Sequence, residues 1–216
     1  DYAVTGVQTC ALPIWDAAIL SPYYQAAIAK MVENGEFNGK ANETAVIHLS
    51  GVPRKLVLVG LGAAASLTTE KIRQAAGAGM RTALKGNVAS VAVSMTFDSE
   101  LDPVACAQAV VEGGMLAAYR FDRLKSDAKA LGLAEIVVAV SNGTAVSPVQ
   151  QGVDKGVIMA EATMLARDLV NLPGNMMTPT HMAEAAQKIA FEGGLSCEVL
   201  EENDMQALGM GALLGV

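Results

Sequence analysis

The chain has 216 residues, of which 52% are hydrophobic, so it can bury a sizeable core and is not expected to be disordered. Its formal charge of −7 and its pI near 4.8 leave no basic surface for nucleic acid or anionic lipid, which argues against both as partners. Aromatic residues make up only 4%, and this aliphatic composition favours helices packed on a sheet, that is, an α/β fold.

The first segment raises the question of its origin. Residues 4–14, VTGVQTCALPI, are similar to the translation of a common sequencing-library adapter. Trp15 agrees with this interpretation, because its only codon begins with the base that the adapter requires. We therefore expect residues 1–14 to be a cloning artefact, poorly anchored and lacking native pairing, with a genuine extended segment as the alternative. In either case one strand position in the sheet is expected to be empty or filled by this segment.

A helical segment and a β-hairpin are predicted next. The sequence from residue 17 to residue 37 is typical of one helix or two short ones. Residues 44–50 and 55–61 are short β-rich runs separated by turn residues, a pattern that predicts adjacent antiparallel strands.

Thr68 is the predicted N-cap of a helix that runs to about residue 85, with a strand at residues 88–95 after it. Gly77 and Gly79 lower its helix propensity, so we expect them to mark close packing against the sheet. The predicted buried stripe of this helix consists of Ile72, Ala75, Ala76, Gly79, Met80 and Ala83.

Asp102 and Pro103 predict the start of a further helix, because the carboxylate accepts from free amides and proline at N1 loses no hydrogen bond. Residues 136–140 are apolar at successive positions, as expected for a strand covered on both faces, so helices are expected on both sides of the sheet. The predicted inner face of the helix consists of Val104, Ala107, Val111, Met115 and Ala118.

Residues 141–148 carry the clearest boundary signal, and a long linking helix is predicted to follow, ending before Pro173. The predicted domains are an amino-terminal domain at residues 15–147, a linking helix at 148–171 and the start of a second α/β domain at 172–216. The residues of the long helix predicted to face inward are Ile158, Ala162, Leu165 and Leu169.

The final segment predicts helix and strand pieces. Thr178 and Pro179 should begin an amphipathic helix that Gly193 and Gly194 end. Residues 195–200 are predicted to form a strand, and residues 211–216 the approach to another. The remaining predicted features are an inner face of Met182, Ala185, Ala186 and Ile189 in that helix and a capping box of Asn203 with Gln206.

Gly60, Gly62 and Ala65 satisfy the G-x-G-x-x-A pattern of dinucleotide-binding folds. In those folds the third small residue opens the helix, whereas here the best N-cap is Thr68, after the motif has ended. No acidic residue follows at the distance of a ribose contact, since Asp98 comes too late. We therefore interpret the glycines as a tight turn, with a nicotinamide-dependent dehydrogenase as a minor alternative.

No other pattern supports a site. Neither a G-x-S-x-G elbow, an H-E-x-x-H run nor a Walker loop occurs. The two histidines, His48 and His181, stand far apart and are interpreted as isolated polar residues. The three cysteines, Cys10, Cys106 and Cys197, form no C-x-x-C pair and are expected to be reduced and mostly buried. We interpret Glu201, Glu202 and Asp204 as a solvated face, and Asp168 beside Arg167 as a packing and capping residue.

Four blocks, in this order, resemble the leucyl aminopeptidase (cytosol aminopeptidase) family over residues 15–216. The run RDLVNLPGNMMTP carries the resemblance most specifically, and Leu124 departs from it where the family often has an aromatic residue. The blocks are VLVGLG at residues 57–62, GGMLAAYRFDRLKS at 113–126, RDLVNLPGNMMTPTHMAE at 167–184 and LGMGALLGV at 208–216.

The resemblance implies a macro-domain-like mixed sheet flanked by helices, then an incomplete metallopeptidase domain. It implies a homo-hexamer that releases amino-terminal residues from peptides with two divalent metals, zinc, manganese or magnesium. A cytoplasmic location is expected separately, because no apolar run approaches the roughly 20 residues that span a bilayer and the first residues do not have the pattern of a signal peptide. The family's N-T-D-A-E-G-R-type ligand motif has no counterpart here, so no catalytic, cofactor-binding or metal-binding residue is assigned. We expect this chain alone to be inactive and metal-free, with Leu213 and Leu214 unusually exposed. A macro-like module for a nucleotide or ADP-ribose is the alternative.

Overall fold

The computed structural model describes residues 2–8, 22–50, 53–86, 88–94, 101–128, 131–140 and 146–215, with residues 2–8 and 22–24 described by their backbone alone. The chain forms two compact units, residues 1–164 and residues 165–216. The boundary signal predicted at residues 141–144 and the segment directly after Trp15 lie outside the described residues. Among the helices that are described, none is long and apolar enough to cross a membrane.

The described strands of the first unit form one five-stranded sheet in the order β2-β3-β1-β4-β5. Strands β1, β3, β4 and β5 run parallel, while β2 pairs antiparallel with β3. The predicted hairpin and the predicted mixed sheet are therefore confirmed. The strands are β1 at Tyr2–Gln8, β2 at Thr44–His48, β3 at Lys55–Gly62, β4 at Ser90–Ser94 and β5 at Glu135–Ala139.

Helices cover both faces of this sheet, as predicted. Alternate residues of β3 point to opposite faces, because the side-chain period of a strand is two. Val57 and Val59 belong to a core with residues of α2 and α3, whereas Leu56 and Leu58 pack with Ile28 of α1 on the other face. The three helices are α1 at Pro22–Glu33, α2 at Thr69–Ala83 and α3 at Pro103–Ala118.

Local capping fixes where these helices begin, as the sequence predicts. The Thr68 hydroxyl accepts from the Lys71 backbone N–H at 3.3 Å. The Asp102 carboxylate accepts from the backbone N–H groups of Val104 at 3.2 Å and Ala105 at 3.3 Å. Each cap satisfies amides that have no partner within the helix, which stabilises the helix start by about 1 kcal/mol.

Residues 2–8 fill a strand position of the sheet, which is one of the two outcomes expected, but the expectation that residues 1–14 are poorly anchored is wrong for them. This segment is the central strand β1, which pairs with β3 on one side and β4 on the other. Main-chain hydrogen bonding along both edges offsets the chain entropy lost on ordering. Residues 9–14 lie outside the described part of the chain.

Two further expectations about packing are corrected. The strand β5 is an edge strand with Val137 41% exposed, so it is not covered on both faces. Gly77 contacts a helix rather than the sheet, since a Cβ at this position would lie 3.4 Å from the Gly113 carbonyl oxygen of α3. The run of apolar residues in β5 did not indicate its place at the edge, and the glycine pattern did not identify the packing partner.

The long helix α4, Val146–Asn171, does not bury the face that was predicted. Ile158 is 65% exposed and Leu165 is 42% exposed. A Cβ at Gly152 would lie 2.3 Å from the Val104 carbonyl oxygen, so glycine is needed where α4 lies directly on α3. The prediction followed the large apolar side chains, whereas the close approach selects small ones. The buried residues of α4 are Val149, Gly152, Gly156 and Ala160.

The second unit is helical where it is regular. Its helices are the end of α4, α5 at Pro179–Gly193, α6 at Glu202–Ala207 and α7 at Gly211–Leu214. Thr178 caps α5 and Gly194 ends it with φ of 64°, both as predicted. Only Ala190 of α5 is buried, and the predicted inner residues Met182 and Ile189 are 47% and 43% exposed.

Three predictions for the end of the chain are wrong. Residues 195–200 form no strand, and the predicted strand approach from residue 211 is replaced by α7 at Gly211–Leu214. No described strand of this unit is available to pair with either segment, and a strand needs a partner for its N–H and C=O groups. The cap of α6 is Glu201, whose backbone N–H donates to the Asp204 carboxylate at 3.1 Å, rather than Asn203. Leu213 and Leu214 are 60% and 41% exposed, as predicted.

Candidate functional site

Gly60 and Gly62, at the end of β3, lie close to the backbone of residues 39–43. The Gly60 N–H donates to the Glu43 carbonyl oxygen at 2.8 Å, and the Gly62 N–H donates to the Gly39 carbonyl oxygen at 3.0 Å. A Cβ at Gly60 would lie 2.0 Å from the Lys40 carbonyl oxygen, and Gly62 has φ of 78°. Both amides are therefore already bonded within the chain and are not free to hold a phosphate.

The remainder of the G-x-G-x-x-A pattern has a local structural role as well. Ala65 lies in a short 3-10 turn, Ala64–Ser66, that precedes the α2 cap. The Lys71 ammonium donates to the Ser66 hydroxyl at 2.7 Å, which ties this turn to the first turn of α2. The motif thus ends before the helix begins, and its turn is the one at Ala64–Ser66, whereas Gly60 and Gly62 belong to β3 because their amides pair with residues 39–43.

A charged cluster that the sequence analysis missed joins α2 to α3. Glu112 is only 8% exposed. Its carboxylate accepts from the Arg73 Nε at 2.6 Å and from the Gln108 side-chain amide at 2.7 Å. Arg73 also pairs with the exposed Glu70 through its guanidinium. A glutamate inside the apolar run VVEGG was the signal for this cluster, but its partner Arg73 is 39 residues away in sequence.

The electrostatics of this cluster are those of a structural ion pair between α2 and α3. Burial lowers the pKa of Arg73, but the hydrogen bonds and charges of Glu112 and Glu70 outweigh that effect and raise the pKa overall. Arg73 therefore stays charged throughout the range in which proteins fold. Each carboxylate oxygen of Glu112 accepts a hydrogen bond, from Arg73 or from Gln108, as a buried charge requires.

The first unit also contains an apolar cavity of about 570 Å³ between α3, β5 and the first half of α4. Its polar lining residues are Glu135 and Gln150, and the Gln150 side-chain amide donates to the Asp154 carboxylate at 2.7 Å. The other lining residues include Val111, Met115 and Val149. This lining offers apolar surface and brings together no nucleophile with a base.

The described residues do not fit the two-metal site that the family resemblance implies. Within the described ranges no group of three or more His, Cys, Asp and Glu side chains is placed to hold a metal ion. His48 is exposed, and the His181 Nδ1 lies 2.8 Å from the Thr178 hydroxyl in the cap of α5. Glu201, Glu202 and Asp204 are exposed, as expected for a solvated face. We derive no metal-dependent step from these residues. Arg167 is exposed and Asp168 half-buried in α4.

The cysteines divide into a buried and an exposed position. Cys106 is 1% exposed, and burial raises the pKa of its thiol, with a further contribution from the charge of Asp102. Cys197 is exposed, so the expectation of mostly buried thiols is wrong for this residue. It lies in the irregular segment that was predicted to be a strand. Cys10 lies outside the described residues.

Comparison of the sequence with protein families gives two consecutive matches. Residues 14–128, more than half of the chain, match the N-terminal domain of the cytosol aminopeptidase family. Residues 164–216 match the catalytic domain of the same family. The second match begins within one residue of the boundary between the two compact units.

Curated relatives carry the same family name. The chain is 38% identical to a probable cytosol aminopeptidase of Alkaliphilus metalliredigens (strain QYMF), over 88% of this chain and 39% of that protein. It is 36% identical to a probable cytosol aminopeptidase of Synechococcus sp. (strain JA-3-3Ab), over 96% of this chain and 42% of that protein. The chain therefore spans about 40% of the length of the curated relatives it matches.

Solved structures share the fold. The bottromycin maturation enzyme BotP in complex with Mn superposes with a TM-score of 0.74 at 28% identity, covering 96% of this chain and 40% of that one. A mutant of tomato leucine aminopeptidase superposes with a TM-score of 0.78 at 20% identity, covering 97% of this chain and 43% of that one. The second likeness shows the fold alone. Together the neighbours confirm the predicted α/β class, while the macro-like comparison stays a prediction.

Proposed function

Since this chain belongs to the cytosol aminopeptidase family, we propose that the whole protein hydrolyses peptides and releases their amino-terminal residues. The observation that carries the proposal is the order of the two family matches, an N-terminal domain at residues 14–128 and a catalytic domain from residue 164. Both matches lie on one chain and follow the arrangement that the family descriptions name. Peptides are accordingly the proposed substrates.

Two divalent metals, zinc, manganese or magnesium, are the proposed cofactors of the whole protein. The likeness to the manganese-bound BotP supports a divalent metal. Such ions supply a Lewis acid and an activated water at neutral pH. Because the family's N-T-D-A-E-G-R-type ligand motif has no counterpart in this sequence, we propose that the metal ligands of the whole protein lie elsewhere in its chain. The role proposed for this chain is that of scaffold and positioning domain.

We propose the same domain boundaries that the sequence predicts. Residues 1–14 are the artefact segment, 15–147 the amino-terminal domain, 148–171 the linking helix and 172–216 the beginning of the catalytic domain. The relatives are named cytosol aminopeptidases, which supports a cytoplasmic location for the whole protein. A homo-hexamer is the assembly that the family resemblance implies.

Activity measurements test this proposal. The purified 216-residue chain with manganese should hydrolyse leucine p-nitroanilide no faster than a buffer control. The longer reading frame recovered from the same DNA should hydrolyse it with ordinary enzymatic turnover, on the order of 1 s⁻¹ or more. Hydrolysis by the shorter chain would place the chemistry within these residues. An inactive longer chain that folds and binds metal would contradict the aminopeptidase assignment.

The alternative of a nucleotide or ADP-ribose module gains no support. The relatives and solved structures reported above are named as cytosol aminopeptidases, a leucine aminopeptidase and a bottromycin maturation enzyme. The glycine amides that motivated the alternative already donate to Glu43 and Gly39. The proposed aminopeptidase therefore stands without a second candidate function.

A further inference from the structure

The apolar cavity of the first unit is lined by side chains that remain accessible instead of being closed into the core. Val153 and Val157 of α4 lie four residues apart, so they share one face of the helix, and both are half-buried. Ile136 and Val138 of β5 lie two residues apart, share one face of the strand and are also half-buried. Two apolar rows, one on a helix and one on a strand, thus line the cavity without filling it.

The size and the walls of the cavity suit a small ligand. Its volume is about 570 Å³, and small-molecule sites commonly measure about 300–1,000 Å³, with mostly apolar walls and a few polar groups. A second cavity of about 250 Å³ shares Met115, Glu135 and Ile136 with the first, so the two are adjacent. Met115, which lines both, has a flexible unbranched side chain that adapts to the shape of an apolar ligand.

The polar groups at the cavity are acceptors. The Glu135 carboxylate is exposed, and no other described side chain forms an ion pair or hydrogen bond with it. The Gln150 side-chain amide donates to the Asp154 carboxylate, which leaves the Gln150 side-chain oxygen as an acceptor. An ammonium group matches this set, because it has three donors and no acceptor, whereas Glu135 would repel a carboxylate. The formal charge of −7 on the chain also favours a cation over an anion.

We propose that this cavity binds a small aliphatic amine, with its alkyl chain between the apolar rows of α4 and β5 and its ammonium group at Glu135. Burial of the alkyl chain provides most of the affinity, and the ion pair with Glu135 selects the charged head group. The described lining residues place no nucleophile beside a base, so the ligand is bound and not converted. All of these residues lie within residues 1–164, and the inference does not depend on the proposed aminopeptidase activity.

Titration of the 216-residue chain at pH 7 with hexylamine, hexanol and hexanoate tests the proposal. The three compounds share an alkyl group of similar length and differ in the charge of the head group, and proton–nitrogen correlation spectra report where each one binds. We expect hexylamine to bind with a dissociation constant of about 1 mM or below, roughly fivefold tighter than hexanol, and hexanoate to bind more weakly than either. The backbone amide signals that shift should belong to residues 135–138 and 149–157.

Two pairs of variants separate the head group from the alkyl chain. Glu135→Gln should bring the affinity for hexylamine to within about twofold of that for hexanol. Its control Glu161→Gln, which removes an exposed carboxylate elsewhere on α4, should retain the preference. Val153→Phe occupies part of the cavity and should weaken the binding of hexylamine and hexanol alike, whereas Ile158→Phe at an exposed position of the same helix should not.

The proposal is overturned if hexylamine and hexanol bind the parent chain equally, if hexylamine does not bind at all, or if the shifted signals belong to other residues. Retention of the hexylamine preference in Glu135→Gln would also overturn it. Far-UV circular dichroism checks that each variant is folded. If Val153→Phe does not fold, Glu135→Gln decides, because it changes only an exposed side chain.

Discussion

The contact between α2 and α3 predicts opposite outcomes for two adjacent glycines. In Gly113→Ala the new Cβ would lie 2.1 Å from the Arg73 carbonyl oxygen and 3.1 Å from the Ala76 Cβ. The obstacle is backbone, so relief requires the two helices to move apart. In Gly114→Ala the nearest atoms are the Met80 Cε at 3.5 Å and the Ile136 Cδ1 at 3.8 Å, which are ordinary contacts.

The magnitude follows from two opposing effects. Overpacking a well-packed interior costs about 1–3 kcal/mol, and a clash with backbone belongs at the upper end of that range. Replacing a helical glycine by alanine contributes about 1 kcal/mol of helix propensity to both variants. That contribution cancels in the comparison, so Gly113→Ala should be about 2–3 kcal/mol less stable than Gly114→Ala. Gly114→Ala should equal or slightly exceed the parent.

Urea unfolding followed by far-UV circular dichroism measures this difference. With a denaturant dependence of about 2 kcal/mol/M, the midpoints of the two variants should lie about 1–1.5 M apart. Native spectra that superpose would show that both variants keep their helices. If the midpoints coincide, or if Gly114→Ala is the less stable variant, the close approach of α2 to α3 at Gly113 is refuted.

Two further predictions concern named side chains. Glu112→Ala removes the buried carboxylate that accepts from Arg73 and Gln108, and it should lower the free energy of unfolding in urea by about 1–3 kcal/mol, a value already reduced for the solvent exposure of Arg73. The control Glu70→Ala removes an exposed carboxylate and should cost less than about 1 kcal/mol. Equal costs would contradict a buried ion pair between Arg73 and Glu112. Iodoacetamide at pH 8 should label Cys197 in the folded chain but Cys106 only on unfolding, because burial raises the pKa of the Cys106 thiol and disfavours the thiolate. Peptide mass spectrometry measures the labelling of each cysteine. Equal labelling of the two in the folded chain would contradict the burial of Cys106.

Burial also makes the contribution of Cys106 to stability depend on pH. The pKa of its thiol is raised in the folded state, so the thiol form stabilises the fold below the ordinary thiol pKa. That contribution is lost as pH rises through the folded-state value. Folded-state labelling of Cys106 should accordingly lag behind that of Cys197 throughout the alkaline range.

The features that local chemistry decides were predictable from the sequence. Thr68, Asp102 with Pro103, and Thr178 with Pro179 begin helices in the structure, because a cap uses only amides within a few residues. The β2-β3 hairpin followed in the same way from two β-rich runs and a turn. The family was predicted from sequence motifs such as RDLVNLPGNMMTP at residues 167–179, and the two family matches confirm it.

The features that depend on distant partners were not predictable. The buried face of α4 is set by Gly152 and Gly156 against α3, and periodicity of large apolar residues pointed instead to Ile158. Residues 195–200 have strand composition but no described strand beside them. The ion pair between Arg73 and Glu112 joins residues that are far apart in sequence. Each case required knowledge of which element packs against which.

We propose that this chain carries the scaffold of a cytosol aminopeptidase without the metal ligands. Equilibrium dialysis against micromolar manganese or zinc, followed by metal analysis of the 216-residue chain, tests the claim most directly. We expect no stoichiometric metal in this chain, and two metals per chain in the product of the longer reading frame. Two tightly bound metals in the 216-residue chain would contradict it.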